Sequence, residues 1–177
     1  MKEIKLSEVM NGKTFKIGDV EFIKFFEENG EVTAVAKEFA FRSEFGKNNN
    51  FAESEILETL NKEFLPKIAD AVGEENILEH EVELTSLDGL KTYGSVKSKI
   101  SIPTFDFYRE NVKIFDKYKV DSWWWLATPD TTYEHLNNYC VSCVSPSGRI
   151  NRYGYSISNG VRPFLKFVSS IFVSCED

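Results

Sequence analysis

The chain has 177 residues, of which 42% are hydrophobic and 14% aromatic, and its net charge is -7. This hydrophobic fraction excludes a disordered chain, and the length is enough to bury one core without disulfides or a metal. The excess of acidic residues opposes contact with a phosphate backbone, so we expect no direct nucleic-acid partner. The negative charge fits a surface that keeps the protein in solution, or an acidic surface that docks on a basic groove of another protein.

The first residues, MKEIKLSEVM, are charged and lack a signal-peptide pattern. No stretch approaches the ~20 apolar residues of a membrane span, so we expect no membrane partner. Cys140, Cys143 and Cys175 are an odd number of cysteines without the spacing of a disulfide framework. Reduced thiols and the missing signal pattern both predict a cytoplasmic protein.

The first half of the chain mixes strands and helices. Two β-rich runs between residues 15 and 41 flank Asn29-Gly30, which is a strong hairpin signal. After a polar turn over residues 42–50, Asn50 and Glu53 resemble the capping pair of a helix. Apolar residues then recur at helical spacing, Pro66 ends or kinks the helix, and a second short helix stops at Gly73.

Further strands and one helix are expected between residues 77 and 115, with a turn at Asp88-Gly89. Beyond residue 120 the pattern predicts strands only, separated by turns at residues 146–148 and 158–160, so the last third reads as an antiparallel sheet. The chain contains no internal repeat and no low-complexity linker. We therefore expect one domain over residues 1–177, of the α+β class.

Several motifs follow one another in a fixed order. They are the leading hairpin, the helix LETLNKEFL, the segment LTSLDGL, the strand Trp124-Trp125-Leu126-x-x-Pro129, a variable loop, a Ser-Gly turn and the strand Gly160-Val161-Arg162-Pro163. In this order the chain resembles an uncharacterised family of C-type-lectin-like domains from bacteria and phages. More distant relatives of that architecture are the formylglycine-generating enzymes, the hypervariable receptor-binding proteins of phages and animal lectins.

The resemblance implies a small twisted antiparallel sheet, two main helices and long loops that project from one end. Because this fold hosts both catalysts and binders, the residues must distinguish them. We expect a non-enzymatic domain that recognises a protein partner through its loop end. One alternative is a phage-encoded inhibitor of a CRISPR-type host nuclease, acting in the host cytoplasm through an acidic surface. Another is a phage particle component that binds host glycans or receptors, and a third is an enzyme of undetected type.

The three tryptophans at 123–125 are expected in one strand, where Trp123 and Trp125 share one face and Trp124 takes the other. In the family that the chain resembles, the position before the leucine belongs to the core. We therefore expect Trp124 and Trp125 to be buried and Trp123 to be partly exposed, the alternative being an aromatic platform for bases or sugars. Arg162 lies on an interior strand and is expected to pair with a carboxylate such as Asp121 or Asp106.

No metal or cofactor is expected. Asp130 follows a proline at a strand end but lacks the further oxygen ligands of a calcium site, and His80 and His135 lack metal-ligand spacing. Cys140 and Cys143 are three residues apart on a strand, so their thiols face opposite sides.

A catalytic arrangement of Glu134, His135 and Cys140 is the enzymatic alternative in the variable loop. No nucleophile elbow, oxyanion motif or phosphate loop accompanies these residues, because the glycines are scattered singly. We therefore expect that the protein is not an enzyme.

The expected binding surface is rich in the Tyr, Asn, Ser and Arg residues that recognition loops favour. Its residues are Trp123, Tyr133, Arg149, Asn151, Arg152, Tyr153 and Tyr155. Arg152 and Tyr153 are expected to lie together at the edge of the sheet. The alternative surface is the acidic face of the first helix, formed by Glu55, Glu58 and Glu63.

Overall fold

The structure, a computed structural model, describes residues 2–176 and shows a mixed α+β architecture. The helices are α1 (Glu55–Thr59), α2 (Leu65–Val72), α3 (Phe105–Glu110) and α4 (Val112–Phe115). The strands of the first half are β1 (Lys2–Lys5), β2 (Thr14–Ile17), β3 (Val20–Glu28), β4 (Glu31–Ala36), β5 (Phe41–Ser43), β6 (Ile77–Leu78) and β7 (His80–Glu83). Those of the second half are β8 (Ser95–Ser98), β9 (Ile100–Ser101), β10 (Trp124–Pro129), β11 (Cys140–Val144), β12 (Ile150–Gly154), β13 (Asn159–Val161), β14 (Phe164–Val168) and β15 (Phe172–Cys175).

The strands form three sheets. In the eight-stranded sheet, seven strands follow the order β1-β15-β2-β3-β4-β14-β6, and the eighth strand, β9, pairs with β14. A five-stranded sheet has the order β12-β11-β10-β13-β5, and β7 pairs with β8 in a separate ribbon. The larger sheet exceeds the small sheet that the resemblance implies, because the first and last strands of the described chain pair with each other and extend it.

The hairpin predicted at Asn29-Gly30 is confirmed. Both residues have positive φ, 52° and 77°, and Glu28 faces Glu31 across the turn. Two consecutive residues with positive φ match the right-handed twist of the flanking strands, which is why Asn-Gly is favoured here. The sequence analysis missed the second two-residue turn, at Gly18-Asp19, which joins β2 to β3.

The first helical segment begins later than predicted. Asn50 caps only a 3-10 turn over Phe51–Glu53, and the helix proper starts at Ser54, whose hydroxyl accepts the N–H of Leu57 at 3.1 Å. A π-helical turn over Leu60–Phe64 then joins α1 to α2. Pro66 lies in the first turn of α2, where its missing N–H has no intrahelical partner to lose, and the helix ends at a glycine as predicted.

Two expectations for the last third are wrong. Asn159 and Gly160, predicted in a turn over residues 158–160, belong to strand β13, and Gly160 is favoured there because a Cβ at this position would overlap the ring of Phe39. The last third is also not one antiparallel sheet. Strand β13 pairs in parallel with β10, and β14 leaves for the eight-stranded sheet, where it pairs with β4.

Strand β10 is buried along its whole length and separates two hydrophobic cores. Trp125 packs into the larger core with α1 and α2, and its indole N–H donates to the Ser43 carbonyl at 2.9 Å. Trp124 points the opposite way, into the core formed with α3 and α4. Trp123 is half-buried and meets Tyr153 edge to face, with ring centroids 5.1 Å apart. The predicted faces and burial of the three tryptophans are confirmed.

Arg162 is 1% exposed, but its expected carboxylate partner is wrong. Asp106 pairs with Arg109 at 2.9 Å, and Asp121 is exposed. The guanidinium instead lies 4.9 Å from the ring centroid of Trp124 and 5.5 Å from that of Phe115. Its Nε donates to the Ala36 carbonyl at 3.1 Å, and burial lowers the pKa of the group to about 10. Aromatic faces therefore stabilise a charge that the sequence analysis assigned to an ion pair.

None of the helices that the structure describes is long and apolar enough to cross a membrane.

We predict that Trp125→Ala lowers the free energy of unfolding by ~3 to 5 kcal/mol, because it empties a large volume in the main core. Trp123→Ala is the matched control and costs clearly less, since its ring is only half-buried. Urea unfolding of the two variants measures the difference. Equal losses would contradict the deeper burial assigned to Trp125 than to Trp123.

Candidate functional site

Among the loops that join neighbouring strands of the five-stranded sheet directly, the longest follows β10. This β10–β11 loop spans residues 130–139 and contains a short 3-10 turn over Tyr133–His135, capped by the hydroxyl of Thr132. It leaves the buried strand at Pro129 and returns at Cys140, so both of its ends are fixed in the sheet. Loops held by a rigid scaffold are common positions for binding residues.

Asn49 holds the base of the loop closed. Its side chain is fully buried, and its amide nitrogen donates to the carbonyls of Thr131 at 2.8 Å and Cys140 at 3.0 Å. The amide oxygen accepts the hydroxyl of Tyr93 at 2.6 Å, and the backbone N–H donates to the carbonyl of Asn138 at 3.0 Å. One buried residue therefore ties both ends of the loop to the rest of the chain.

A second set of polar contacts fixes the start of the loop. The carboxylate of Asp88 accepts hydrogen bonds from the hydroxyls of Ser86 and Thr131 and from Nδ1 of His135. These bonds, that of Ser86 contributing most, lower the pKa of Asp88 to about 2. Thr132 is buried, and its hydroxyl lies 2.9 Å from that of Thr92. The turn at 86–89 thus supports the loop from one side.

The tip of the loop is apolar and exposed. Leu136 has 96% of its surface accessible, and Tyr133 and Tyr139 have 60% and 47%. Leu136 also adopts a left-handed backbone conformation, with φ 58° and ψ 24°. A bulky apolar residue in this conformation is uncommon, because its Cβ approaches the following carbonyl oxygen. We call Tyr133, Leu136 and Tyr139 the loop tip; the sequence analysis identified only the first of them.

Arg152 and Tyr153 do not form a common surface. Arg152 lies opposite Ser142 in the β11–β12 pair, whereas Tyr153 lies opposite Val141, whose side chain belongs to the larger core. Consecutive strand residues point to opposite faces, so the two side chains are separated by the sheet. Arg152 is exposed and forms an ion pair with Asp130, at the start of the loop. The expectation that the side chains of Arg152 and Tyr153 lie together at the edge of the sheet is therefore wrong.

The other expected binding residues are divided between two places. Arg149 and Asn151 are exposed and line a shallow pocket of about 500 Å³ together with Trp123. Tyr155 is half-buried and meets Tyr139 edge to face, with ring centroids 5.0 Å apart. Tyr155 therefore supports the loop tip, while the Trp123 pocket is a separate polar surface.

The acidic residues of the first helix are all exposed. Glu58 forms an ion pair with Lys62 at 2.5 Å, which offsets part of its charge. Glu55 and Glu63 form no ion pair with any residue in 2–176.

The expected enzymatic alternative is not assembled in the described chain. His135 contacts Asp88 and Thr131, and no hydrogen bond joins it to Cys140. Burial raises the pKa of Cys140, and it raises that of Cys143 to about 12, which disfavours the nucleophilic thiolates. Among residues 2–176, no three His, Cys, Asp or Glu side chains are placed together to hold a metal ion.

We predict that Asn49→Ala lowers the free energy of unfolding by ~2 to 3 kcal/mol, because the carbonyls of Thr131 and Cys140 and the hydroxyl of Tyr93 lose their hydrogen bonds to a buried side chain. Amide hydrogen exchange in residues 131–140 should accelerate more than elsewhere. The control is Asn61→Ala on the exposed helix surface, expected to change stability by less than ~0.5 kcal/mol. Unchanged exchange in the loop would refute the role assigned to Asn49.

The depressed pKa of Asp88 predicts a pH dependence of stability. The folded-state pKa, about 2, lies below the ordinary value of 3.8, so the stabilisation is complete above that ordinary value and disappears as the pH falls towards 2. Wild type should be more stable than Asp88→Asn at pH 6, and the difference should vanish between about pH 4 and pH 2. Urea unfolding across this range measures it, and a constant difference would contradict the assignment.

Comparison with known proteins found no matching family model, no matching curated protein and no matching solved structure.

Proposed function

We propose that this chain is a non-catalytic binding domain that recognises a protein partner through the loop tip, Tyr133, Leu136 and Tyr139. The single observation that carries the proposal is Leu136, which is 96% exposed in a left-handed conformation. Exposing a leucine there contributes nothing to the fold, and strained residues cluster at functional sites. Burial of this side chain by a partner explains why Leu136 is both exposed and left-handed in the free protein.

The composition of the tip favours a protein over other ligands. Large aromatic and aliphatic side chains are the usual anchors of protein interfaces, whereas contact with nucleic acid requires a basic surface. The chain carries a net charge of -7, and Arg152 is paired with Asp130 at the start of the loop. If the ligand is instead a glycan, the pocket beside Trp123 is the surface that suits it, because an aromatic ring lies there next to polar side chains.

We also propose that the domain has a C-type-lectin-like fold and acts in the cytoplasm. Support for the fold comes from the antiparallel strands β10, β11 and β12, from the long loop between the first two, and from the motifs that carry the resemblance. In this fold, loops at one end commonly bind ligands on a rigid sheet. Support for the location comes from the free thiols of Cys140, Cys143 and Cys175.

A second candidate is an acidic inhibitor that docks on a nucleic-acid-binding effector. The exposed carboxylates of Glu55 and Glu63, which form no ion pair within residues 2–176, favour it. Attraction between such a surface and a basic groove weakens steeply with salt, whereas an apolar contact at Leu136 does not. The two candidates therefore differ in the salt dependence of binding as well as in the residues involved.

Site-specific crosslinking tests the proposal and identifies the partner in the same experiment. A photoreactive benzoylphenylalanine is introduced at position 136, and in a control protein at position 172, where Phe172 is 58% exposed in the other large sheet. After irradiation in a bacterial lysate, mass spectrometry identifies the crosslinked proteins. We predict one dominant protein crosslinked from position 136 and absent from position 172.

Variants of the loop tip then test binding with the purified partner. Leu136→Asn removes the apolar side chain and suits the left-handed conformation, so it should weaken binding at least tenfold while stability is retained or increased. The matched control is Met10→Asn, at another exposed apolar position, which should leave affinity unchanged. Binding that survives Leu136→Asn but is lost on Glu55→Lys with Glu63→Lys would transfer the function to the acidic face.

A further inference from the structure

A pocket away from the β10–β11 loop lies between strands β7 and β14 and helix α3. Its volume is about 300 Å³, near the lower limit for small-molecule sites. One wall consists of three aromatic rings, those of Phe26, Phe107 and Phe164. The ring centroids of Phe107 and Phe164 are 5.0 Å apart, and those of Phe26 and Phe107 are 6.3 Å apart. The pocket therefore offers a preformed apolar surface.

His80 lines this pocket with an incompletely bonded side chain. The residue is 8% exposed, and its ring centroid lies 4.9 Å from that of Phe164. Nε2 lies 2.7 Å from the hydroxyl of Ser101, while Nδ1 has no hydrogen-bond partner. Burial lowers the pKa of His80 to about 4, so the ring is neutral at pH 7. Nδ1 is itself enclosed by protein atoms, so His80 contributes a neutral ring to the pocket wall.

The charged groups around the pocket are mainly acidic. The lining residues that carry charge are Glu81, Glu83, Asp106, Glu110 and Lys166. Asp106 is paired with Arg109, whereas Glu83 and Glu110 form no ion pair with any residue in 2–176. With Asp106 paired to Arg109, three carboxylates remain against the ammonium of Lys166, so the potential at the mouth is negative. An anionic ligand is disfavoured there, and a cation is attracted.

We propose that this pocket binds an organic ammonium ion: a compact apolar body that packs against the phenylalanine rings, carrying a protonated amine. The faces of the rings attract cations, and the carboxylates at the mouth add to this attraction. The site is separate from the loop tip, so its failure would leave the proposed function untouched.

Titration of ¹⁵N-labelled protein with three ligands of similar shape tests the inference at pH 7. The probes are phenethylammonium, neutral 2-phenylethanol and anionic 3-phenylpropanoate. We expect saturable chemical-shift changes at residues around the pocket, with phenethylammonium binding at least fivefold more tightly than the alcohol and the carboxylate not saturating. Equal binding of the alcohol, preference for the carboxylate, or no saturable change near the pocket would overturn the inference.

Two variants separate ligand binding from folding. Glu110→Gln removes one exposed carboxylate of α3 and should weaken phenethylammonium binding at least threefold without changing the affinity for 2-phenylethanol. Glu58→Gln, an equivalent change on α1, is the control and should change neither affinity. Equal effects of Glu110→Gln and Glu58→Gln on phenethylammonium binding would refute the proposal.

Discussion

Burial of β10 on both faces is the constraint on which the rest of the structure depends. Trp125 fills the core beneath α1 and α2, and Trp124 fills the core beside α3 and α4, so β10 contributes a tryptophan to each of the two cores that lie on either side of the sheets. Trp124 also stacks on the guanidinium of Arg162, which in turn bonds to the carbonyl of Ala36 on β4. This contact connects the five-stranded sheet to the eight-stranded sheet. A run of tryptophans that resembles a ligand platform is thus chiefly structural.

The rigidity of β10 extends into the loop that follows it. Asn49 bonds to the carbonyl of Thr131, two residues after the loop leaves β10, and to that of Cys140, where the loop rejoins the sheet. With its base closed in this way, the loop can hold Leu136 in a conformation that a free peptide rarely adopts. Binding by a preorganised tip avoids part of the entropic cost of ordering a flexible loop. The proposed function therefore follows from the same packing that buries the tryptophans.

The elements that local signals specify could be predicted from the sequence. Asn29-Gly30 determines its own hairpin, and alternation along a strand determines the faces of the tryptophans. Features that depend on distant partners could not be predicted. Nothing near Asn49 distinguishes it from its neighbouring asparagines, since its partners are 44 to 91 residues away. The local pattern predicts a turn at Gly160, because it carries no information on the tertiary contact with Phe39 that favours glycine at this position.

The loop tip illustrates the same limit. The sequence identifies its segment as irregular surface and singles out Tyr133, but the exposure of Leu136 depends on how Asn49 and Asp88 hold the chain. The most direct test of the account is the ¹⁵N order parameter of Leu136 in the free protein. A preorganised loop predicts a value near ~0.85, similar to β10, and little change on binding, whereas a value below ~0.6 would contradict the account, because the tip would then be mobile before any partner binds.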